Sequence, residues 1–279
     1  MKNLVLRTVT GIIFVAAVVA SILLYDTTVV PFCILMALVA IGGTYEFLKM
    51  TGIVTSVFPT ILTFAAVIAI TSIPVVSFFS AAILLLLIVI PAILLFFFPL
   101  LSFVELFQKN EGGFSLRTLS LCLVPLFWIA LPVMLLLVLM EDADPSCVLA
   151  LFIIIWLNDT LAYCAGSLFG RHKLCERISP KKTVEGFVIA FVLTVAASAA
   201  FAYIPYFADV RWNLSQWMVF AVGVVLFGTL GDLVESMIKR ACGVKDSGNV
   251  LPGHGGVLDR FDSVLMAVPV AALYLFLMM

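Results

Sequence analysis

The sequence predicts an all-α polytopic membrane protein with about nine transmembrane helices. Of its 279 residues, 64% are hydrophobic and only 11% are charged, whereas soluble domains contain about 45–50% apolar and about 25% charged residues. Long apolar runs such as residues 81–90 lack the alternation of apolar and polar side chains that a transmembrane β-barrel requires. The net charge of −1 is unlike that of a basic nucleic-acid-binding protein. These observations exclude a soluble enzyme and predict no nucleic acid as a partner.

Nine apolar stretches approach or exceed the roughly 20 residues that a transmembrane helix needs. They cover residues 8–25, 29–48, 57–73, 75–98, 117–140, 146–169, 184–207, 214–238 and 258–279. The third is short and meets the fourth at Ser72-Ile73-Pro74, so these two form either a hairpin or one irregular element. Pro91, Pro125 and Pro132 fall inside spans, where neighbouring helices can accommodate a kink.

The basic residues predict the orientation of these spans. With nine spans, 14 of the 15 Lys and Arg residues fall on one side, and only Arg211 falls on the other. Because Lys and Arg are enriched in cytoplasmic loops, the N-terminus is predicted to be cytoplasmic and the C-terminus to lie outside the cell. We therefore expect one continuous membrane domain in the cytoplasmic membrane. Residues 1-145 would supply scaffold helices, and residues 146-279 would form the catalytic region, with its site facing the cytoplasm.

The first of four polar clusters lies at the end of the eighth span. Gly228, Asp232, Glu235 and Lys239 share one face of the predicted helix, and Arg240 follows directly. A carboxylate within a span is costly and normally faces a polar cavity or a partner. Glu235 and Lys239 form either a structural ion pair or part of a site, whereas Asp232 has no such local partner.

The second cluster is the loop between the eighth and ninth spans, which contains five glycines in 14 residues. Its backbone N–H groups, which include those of Gly255 and Gly256, open onto a helix and would suit phosphate oxygens. Lys245 and His254 add donor groups. The alternative interpretation is a flexible connector, and the Walker A pattern is absent.

The third cluster begins the ninth span. Asp259 and Asp262 are i,i+3 neighbours on either side of Arg260, and such close like charges repel unless a cation lies near them. Carboxylate oxygens favour Mg²⁺ or another hard cation. The alternative is a pair of acids that are stabilised by the dipole at the start of the helix.

The fourth cluster joins the sixth span to the loop after it. Asp159 lies deep in the span, and the loop carries five basic residues in 12 positions, Lys182 among them. The alternative role of this loop is to set the topology and to contact anionic lipids. Together, the four clusters predict a site for a polyphosphate and for an apolar or lipid partner.

Motifs in the second half of the chain form a long pattern of mixed chemistry. They are Ser236-Met237-Ile238-Lys239-Arg240, Lys245-Asp246-Ser247-Gly248, Leu251-Pro252-Gly253-His254-Gly255-Gly256, Leu258-Asp259-Arg260-Phe261-Asp262, and the elements Asp159–Gly166 and Ser179–Gly186. This pattern closely resembles the signature of the phosphatidate cytidylyltransferases, also called CDP-diacylglycerol synthases. The chain length and the predicted span count agree with the bacterial branch of that family.

The resemblance implies transfer of the cytidylyl group of CTP to phosphatidic acid, which gives CDP-diacylglycerol and pyrophosphate in phospholipid biosynthesis. It implies membrane lipids as surroundings, a homodimer, and Mg²⁺, with or without a second cation, held by Asp232 and Asp259. The other candidate catalytic residues are Asp246, Asp262, Lys239 and Arg240, and the candidate substrate-binding residues are Lys245, His254, Gly255, Gly256, Arg260, Ser179, Lys182 and Asp159. Asp246 and Asp262 would be either further metal ligands or residues that orient the ligands.

The implied chemistry needs no strong general base, because a phosphomonoester with a second pKa of about 6 is already mostly ionised at neutral pH. Catalysis would consist of positioning and charge neutralisation. A cytidylyltransferase for isoprenoid-ether lipids or a polyprenol kinase would use the same groups. A CDP-alcohol phosphotransferase is disfavoured because its D-G-x-x-A-R motif is missing. A transporter would predict inverted repeats, and the sequence contains no such repeat.

Overall fold

The computed structural model describes residues 2–55, 57–77, 116–142, 144–250 and 255–278. The helices are α1 (Lys2–Leu23), α2 (Val30–Thr51), α3 (Val57–Ser77), α4 (Leu116–Pro125), α5 (Leu131–Asp142), α6 (Pro145–Phe169), α7 (Val184–Ser198), α8 (Leu214–Ala241) and α9 (Leu258–Met278). A π-helix, Leu126–Ala130, joins α4 to α5, and short 3-10 helices cover Ile53–Thr55, Ala199–Tyr203 and Pro205–Val210. Strands β1 (Lys173–Cys175) and β2 (Ser179–Thr183) form an antiparallel hairpin.

The described part of the chain is an α-helical polytopic membrane protein. Seven of its helical segments are long and apolar enough to cross a bilayer, and the apolar part of α1 is shorter. Eight of the nine predicted spans coincide with described helices. The remaining one, 75–98, lies outside the described residues apart from its start in α3, so the count of nine stays a prediction.

The helix α3 continues through Ser72-Ile73-Pro74 and ends at Ser77. The chain therefore makes no hairpin turn at these residues. The hydroxyl groups of Thr71 and Ser72 donate to carbonyl oxygens of the preceding turn, at 2.9 Å and 3.0 Å. Such bonds satisfy hydroxyl groups inside a span without interrupting the helix.

The fifth predicted span is helical throughout but contains a π-helix between its two prolines. Pro125 ends α4, and the π-helix carries the chain to α5, where Pro132 lies in the first turn. Proline cannot donate the backbone hydrogen bond of a regular helix, and a local π-helical turn accommodates such a defect. Pro91 lies outside the described residues.

The basic loop after the sixth span contains a β-hairpin that the sequence analysis did not predict. Glu185, at the start of α7, accepts hydrogen bonds from the backbone N–H groups of Arg171 and His172, at 3.0 Å and 3.1 Å. The N–H group of Val184 donates to the carbonyl of His172 at 2.9 Å. These bonds attach the start of the hairpin to α7, which follows directly on its other end, and so help to determine where its lysines lie.

Glycines allow close helix crossings in the second half of the chain. A Cβ atom on Gly186 of α7 would lie 2.9 Å from the carbonyl oxygen of Ala162 and from the Cα of Gly166, both in α6. A Cβ on Gly231 of α8 would lie 2.8 Å from the Cβ of Met266 in α9. Because α8 and α9 approach so closely at Gly231, the next residue, Asp232, lies near the acidic start of α9.

The predicted site motifs lie at one end of the helix bundle. At the other end, a cavity of about 560 Å³ is lined by residues of the α1–α2 and α5–α6 junctions, Asp26 and Glu141 among them. The start of α9 instead lies against Thr10 and Phe14 of α1. The described residues of the motifs thus lie at one end of the bundle, while the side of the membrane that this end occupies stays a prediction.

Candidate active site

Two cavities meet at Asp159, at the end of the bundle that carries the motifs. The first, of about 290 Å³, lies between α6, α7, α8 and the hairpin, and we call it the hairpin cavity; its lining includes Asp159, Tyr163, Lys182, Phe187 and Asp232. The second, of about 180 Å³, is the α1 cavity; its lining includes Phe14, Trp156, Asp159, Asp259, Arg260 and Asp262. Asp159 lines both, so groups bound in the two cavities would be neighbours.

The polar side of the hairpin cavity is an ion pair between Lys182 of β2 and Asp232 of α8. The Lys182 Nζ donates to Asp232 Oδ2, and the hydroxyl of Ser236 donates to Asp232 Oδ1 at 3.3 Å. The Lys182 and Asp232 side chains are 29% and 28% exposed. A ligand in the cavity could therefore reach both charges.

Asp159 and Asp262 extend this cluster toward the α1 cavity. The charges of Lys182, Asp232 and Arg260 act on Asp159, and those of Asp232, Lys239 and Asp159 act on Asp262. Asp262 is buried, and its Oδ1 accepts the N–H of Ser263 at 2.6 Å. Three carboxylates thus lie within electrostatic range of one another, next to three basic side chains.

Lys239 connects α8 to α9. Its Nζ donates to Glu235 Oε2 and, at 2.6 Å, to Asp259 Oδ1. The i,i+4 ion pair between Glu235 and Lys239 therefore forms, and the fully buried Glu235 side chain lines neither of the two cavities. Because Lys239 also binds Asp259, the pair helps to position the start of α9.

The glycine-rich loop wraps around the carboxylate of Asp259. Asp259 Oδ2 accepts the N–H groups of Ser247, at 3.0 Å, and Gly256, at 2.7 Å. Gly255 has a φ of +85°, and a Cβ there would lie 2.5 Å from Asp259 Oδ2. With Lys239, three protein donors occupy Asp259, and a carboxylate offers about four lone-pair positions.

Glu46 of α2 is a residue of this region that the sequence analysis missed. Its carboxylate is 2% exposed and accepts the N–H groups of Val257 and Leu258 and the hydroxyl of Ser247, each at 2.9 Å. The N–H group of Gly256, which was expected to face phosphate, therefore donates to Asp259, and those of Val257 and Leu258 donate to Glu46. The signal in the sequence was a single acid within an otherwise apolar second span.

Comparison with known proteins identifies the relationship behind this geometry. The model of the cytidylyltransferase family matches residues 5–278. The chain belongs to the cytidylyltransferase family.

Relatives that are named phosphatidate cytidylyltransferase occur in staphylococci. The protein of Staphylococcus haemolyticus (strain JCSC1435) is 36% identical over 265 residues, which are 94% of this chain and 95% of that protein. The protein of Staphylococcus saprophyticus is 42% identical over 176 residues, 62% of this chain and 64% of that protein. The protein of Staphylococcus aureus (strain COL) is 48% identical over 124 residues, 44% of this chain and 46% of that protein.

Not every predicted site residue of this family member lies at the two cavities. Arg240 is exposed and its Nη1 donates to the carbonyl of Val244 at 3.2 Å, so it stabilises the loop. Lys245 and Asp246 are exposed and line neither cavity, and the same holds for Ser179 in β2. His254 lies outside the described residues.

The carboxylates fit a cation that is shared with a phosphate better than one held by protein alone. Within the described ranges, no group of three or more His, Cys, Asp or Glu side chains is arranged to hold a metal. Mg²⁺ commonly binds one or two carboxylates together with water and substrate phosphates. Asp232 and Asp259 each line a cavity, but Asp259 has only about one lone-pair position left.

Proposed function

We propose that this protein transfers the cytidylyl group of CTP to phosphatidic acid, which forms CDP-diacylglycerol and releases pyrophosphate for phospholipid biosynthesis. The observation that carries the proposal is the pair of cavities that meet at Asp159, with Lys182 and Asp232 in one and the acids of α9 in the other. Membership of the cytidylyltransferase family and the names of the staphylococcal relatives support the choice of substrates.

In this reaction an oxygen of the phosphatidic acid phosphate attacks the α-phosphorus of CTP. The bond between that phosphorus and the bridging oxygen breaks, and pyrophosphate leaves with the electron pair. Both reactants are anions, so the protein has to hold them together and offset their charge. Lys181, Lys182 and Arg260 are the basic residues that line the two cavities, and we assign Lys182 and Arg260 to phosphate oxygens. We keep Lys245 and His254 as candidates for the same role.

The hairpin cavity suits a substrate with an apolar part. Tyr163 and Phe187 line it beside the charged pair, and Tyr163 is 78% exposed. The neighbouring Leu168 is 75% exposed on the same helix. A lipid could thus place its chains along the outside of α6 while its phosphate reaches Lys182.

We propose Mg²⁺ as the cofactor, held by Asp232 and Asp259 together with phosphate oxygens. Bound there, it would supply positive charge that neutralises phosphates. Asp159 and Asp262 interact electrostatically with Asp232, and we propose that they are further ligands or residues that orient the ligands. Release of Asp259 from one of its three donors would open a position for a cation.

We also propose that the protein works as a homodimer in the cytoplasmic membrane, with the two cavities on the cytoplasmic side. The family resemblance supports the dimer, and the distribution of Lys and Arg supports the orientation. The mass of the purified protein in detergent, measured by light scattering, tests the dimer.

The test of the reaction uses CTP labelled at the α-phosphorus and purified protein in mixed micelles with phosphatidic acid and Mg²⁺. We expect the label to enter the lipid, with one pyrophosphate released per labelled lipid. A polyprenol kinase would instead transfer the γ-phosphate and leave the label in the nucleotide. Labelling of an isoprenoid-ether phosphate but not of phosphatidic acid would identify the other lipid class. No pyrophosphate with any lipid would contradict the proposal.

A further inference from the structure

The N-terminal half of the chain contributes a buried carboxylate to the catalytic half. Glu46 lies in the last turns of α2 and is 2% exposed. Its Oε1 accepts the N–H of Val257, and its Oε2 accepts the N–H of Leu258 and the hydroxyl of Ser247. All three donors belong to the loop and the first turn of α9. These three hydrogen bonds stabilise the Glu46 carboxylate away from water.

Two glycines of the loop, Gly248 and Gly256, lie too close to this carboxylate to carry a side chain. A Cβ on Gly248 would lie 2.7 Å from the Cδ of Glu46, and a Cβ on Gly256 would overlap the same carboxylate and the Ser247 hydroxyl. On the other side, Gly42 brings α2 close enough that a Cβ there would lie 3.2 Å from Val257. Glycine at these positions lets α2 and the loop close around Glu46.

Ser247 of the loop connects Glu46 to Asp259, the candidate metal ligand. Ser247 donates its hydroxyl to Glu46 and its N–H to Asp259. Glu46 therefore acts on both the loop and the first turn of α9, on which Asp259 and Arg260 lie. Hydrogen bonds to a charged carboxylate are stronger than bonds between neutral groups. The Glu46 carboxylate also lies at the N-terminus of α9, where the helix dipole is positive.

We propose that Glu46 is a positioning residue for the transfer reaction. It holds the glycine-rich loop against the start of α9 and thereby sets the place of Asp259. The proposal rests on the assignment of Asp259 to the reaction, and it makes α2 part of the catalytic unit rather than scaffold alone.

The test compares Glu46→Gln with wild-type enzyme, purified at full length. The amide keeps the shape but presents an NH₂ group to backbone donors. We expect kcat to fall about tenfold or more, while the KM for CTP changes less than about threefold, because orientation is lost rather than binding. Glu141→Gln, at the other end of the bundle, is the matched control and should retain wild-type kcat.

A second readout reports on the loop itself. Trypsin can cut after the exposed Lys245 in the loop and after the exposed Arg177 in the hairpin. In Glu46→Gln, cleavage after Lys245 should accelerate at least about fivefold, as expected for local opening, and cleavage after Arg177 should not. A role in general stability would accelerate both cuts.

Ser247→Ala removes a single donor and covers the case in which Glu46→Gln does not accumulate. It should show the same two effects at smaller size, and the double variant should be no worse than Glu46→Gln, because both act through one contact. Wild-type kcat and wild-type cleavage after Lys245 in either variant would overturn the proposal. Inactive wild-type enzyme would contradict the proposed function instead, and the cleavage comparison would still test Glu46.

Discussion

Individual carboxylates of the site differ in what they contact. Asp232 faces a cavity and pairs with Lys182, whereas Asp259 is surrounded by a lysine and two backbone donors. Asp159 lines both cavities. We therefore expect the same substitution, acid to amide, to have different consequences at these positions.

Asp232→Asn should abolish nearly all turnover while the protein still inserts and purifies. The amide keeps the shape but loses the charge that a cation and Lys182 require, which should cost on the order of 10²-fold or more in rate. The initial rate of pyrophosphate release measures this. Asp26→Asn, at the opposite end of the bundle, is the control. Near-wild-type turnover of Asp232→Asn at saturating Mg²⁺ would remove this residue from the site.

Asp259→Asn should lose a similar factor of on the order of 10²-fold or more. If both residues serve one metal centre, the double variant should be no slower than either single variant, since the centre is lost once. Rates of the two single variants and the double variant, measured over a range of Mg²⁺ concentrations, test this. If the rate losses of the two single variants multiply in the double variant, Asp259 and Asp232 act independently.

Among the structural elements, the glycine-rich loop has the most specific backbone requirements. Two of its glycines, Gly243 and Gly255, have positive φ angles of 72° and 85°, which other residues rarely adopt. Their surroundings differ, because an added Cβ at Gly243 would meet nothing within 4 Å, whereas one at Gly255 would contact the Asp259 carboxylate. The two positions therefore separate backbone strain from contact with the site.

Gly255→Ala should decrease kcat strongly, by roughly tenfold or more, because the added Cβ would displace the Asp259 carboxylate. A catalytic group has to be held within about 0.5 Å of its productive position. Gly243→Ala should carry the same backbone strain, about 1 kcal/mol, with kcat close to wild type. Steady-state kinetics and thermal unfolding of both proteins in detergent separate the two effects. Equal losses of kcat would mean that strain alone governs this loop.

At the scale of the whole molecule, the arrangement places the site at one end of a helix bundle. CTP cannot cross a bilayer unaided, whereas phosphatidic acid diffuses within the membrane. We therefore expect the site to open both to the cytosol and to the lipid. The end that carries the start of α9 and the hairpin is also the end that the distribution of basic residues predicts to be cytoplasmic.

Labelling with an impermeant maleimide tests this orientation, on a background without native thiols. Ser247 is a poor reporter because it is buried against Glu46, whereas Val250 is 59% exposed in the same loop. Val250→Cys should react only in inside-out vesicles. Glu141→Cys, on the exposed opposite end, should react only in intact cells. Reaction of Val250→Cys from outside would contradict the predicted topology and the predicted cytoplasmic placement of the site.

Much of the fold was predictable because a bilayer imposes a simple rule on sequence. Every span needs about 20 apolar residues, and the described helices follow the apolar runs closely. The hairpin at β1 and β2 escaped prediction because its short, polar strands carry no hydrophobic period, and Glu185, in the next helix, stabilises it.

The sequence alone determined the membrane class, the approximate spans, the family resemblance and the residue types of the site. Only the tertiary structure decided which charges pair. It joined Lys182 to Asp232 across 50 residues and Glu46 to the loop across more than 200. The physical reason is that a buried charged group needs an opposite charge or hydrogen bonds, and the packing of the helices determines which residues supply them. The spacing of residues along the chain predicts which of them are neighbours on one helix. It does not predict the helix crossings that bring distant residues together.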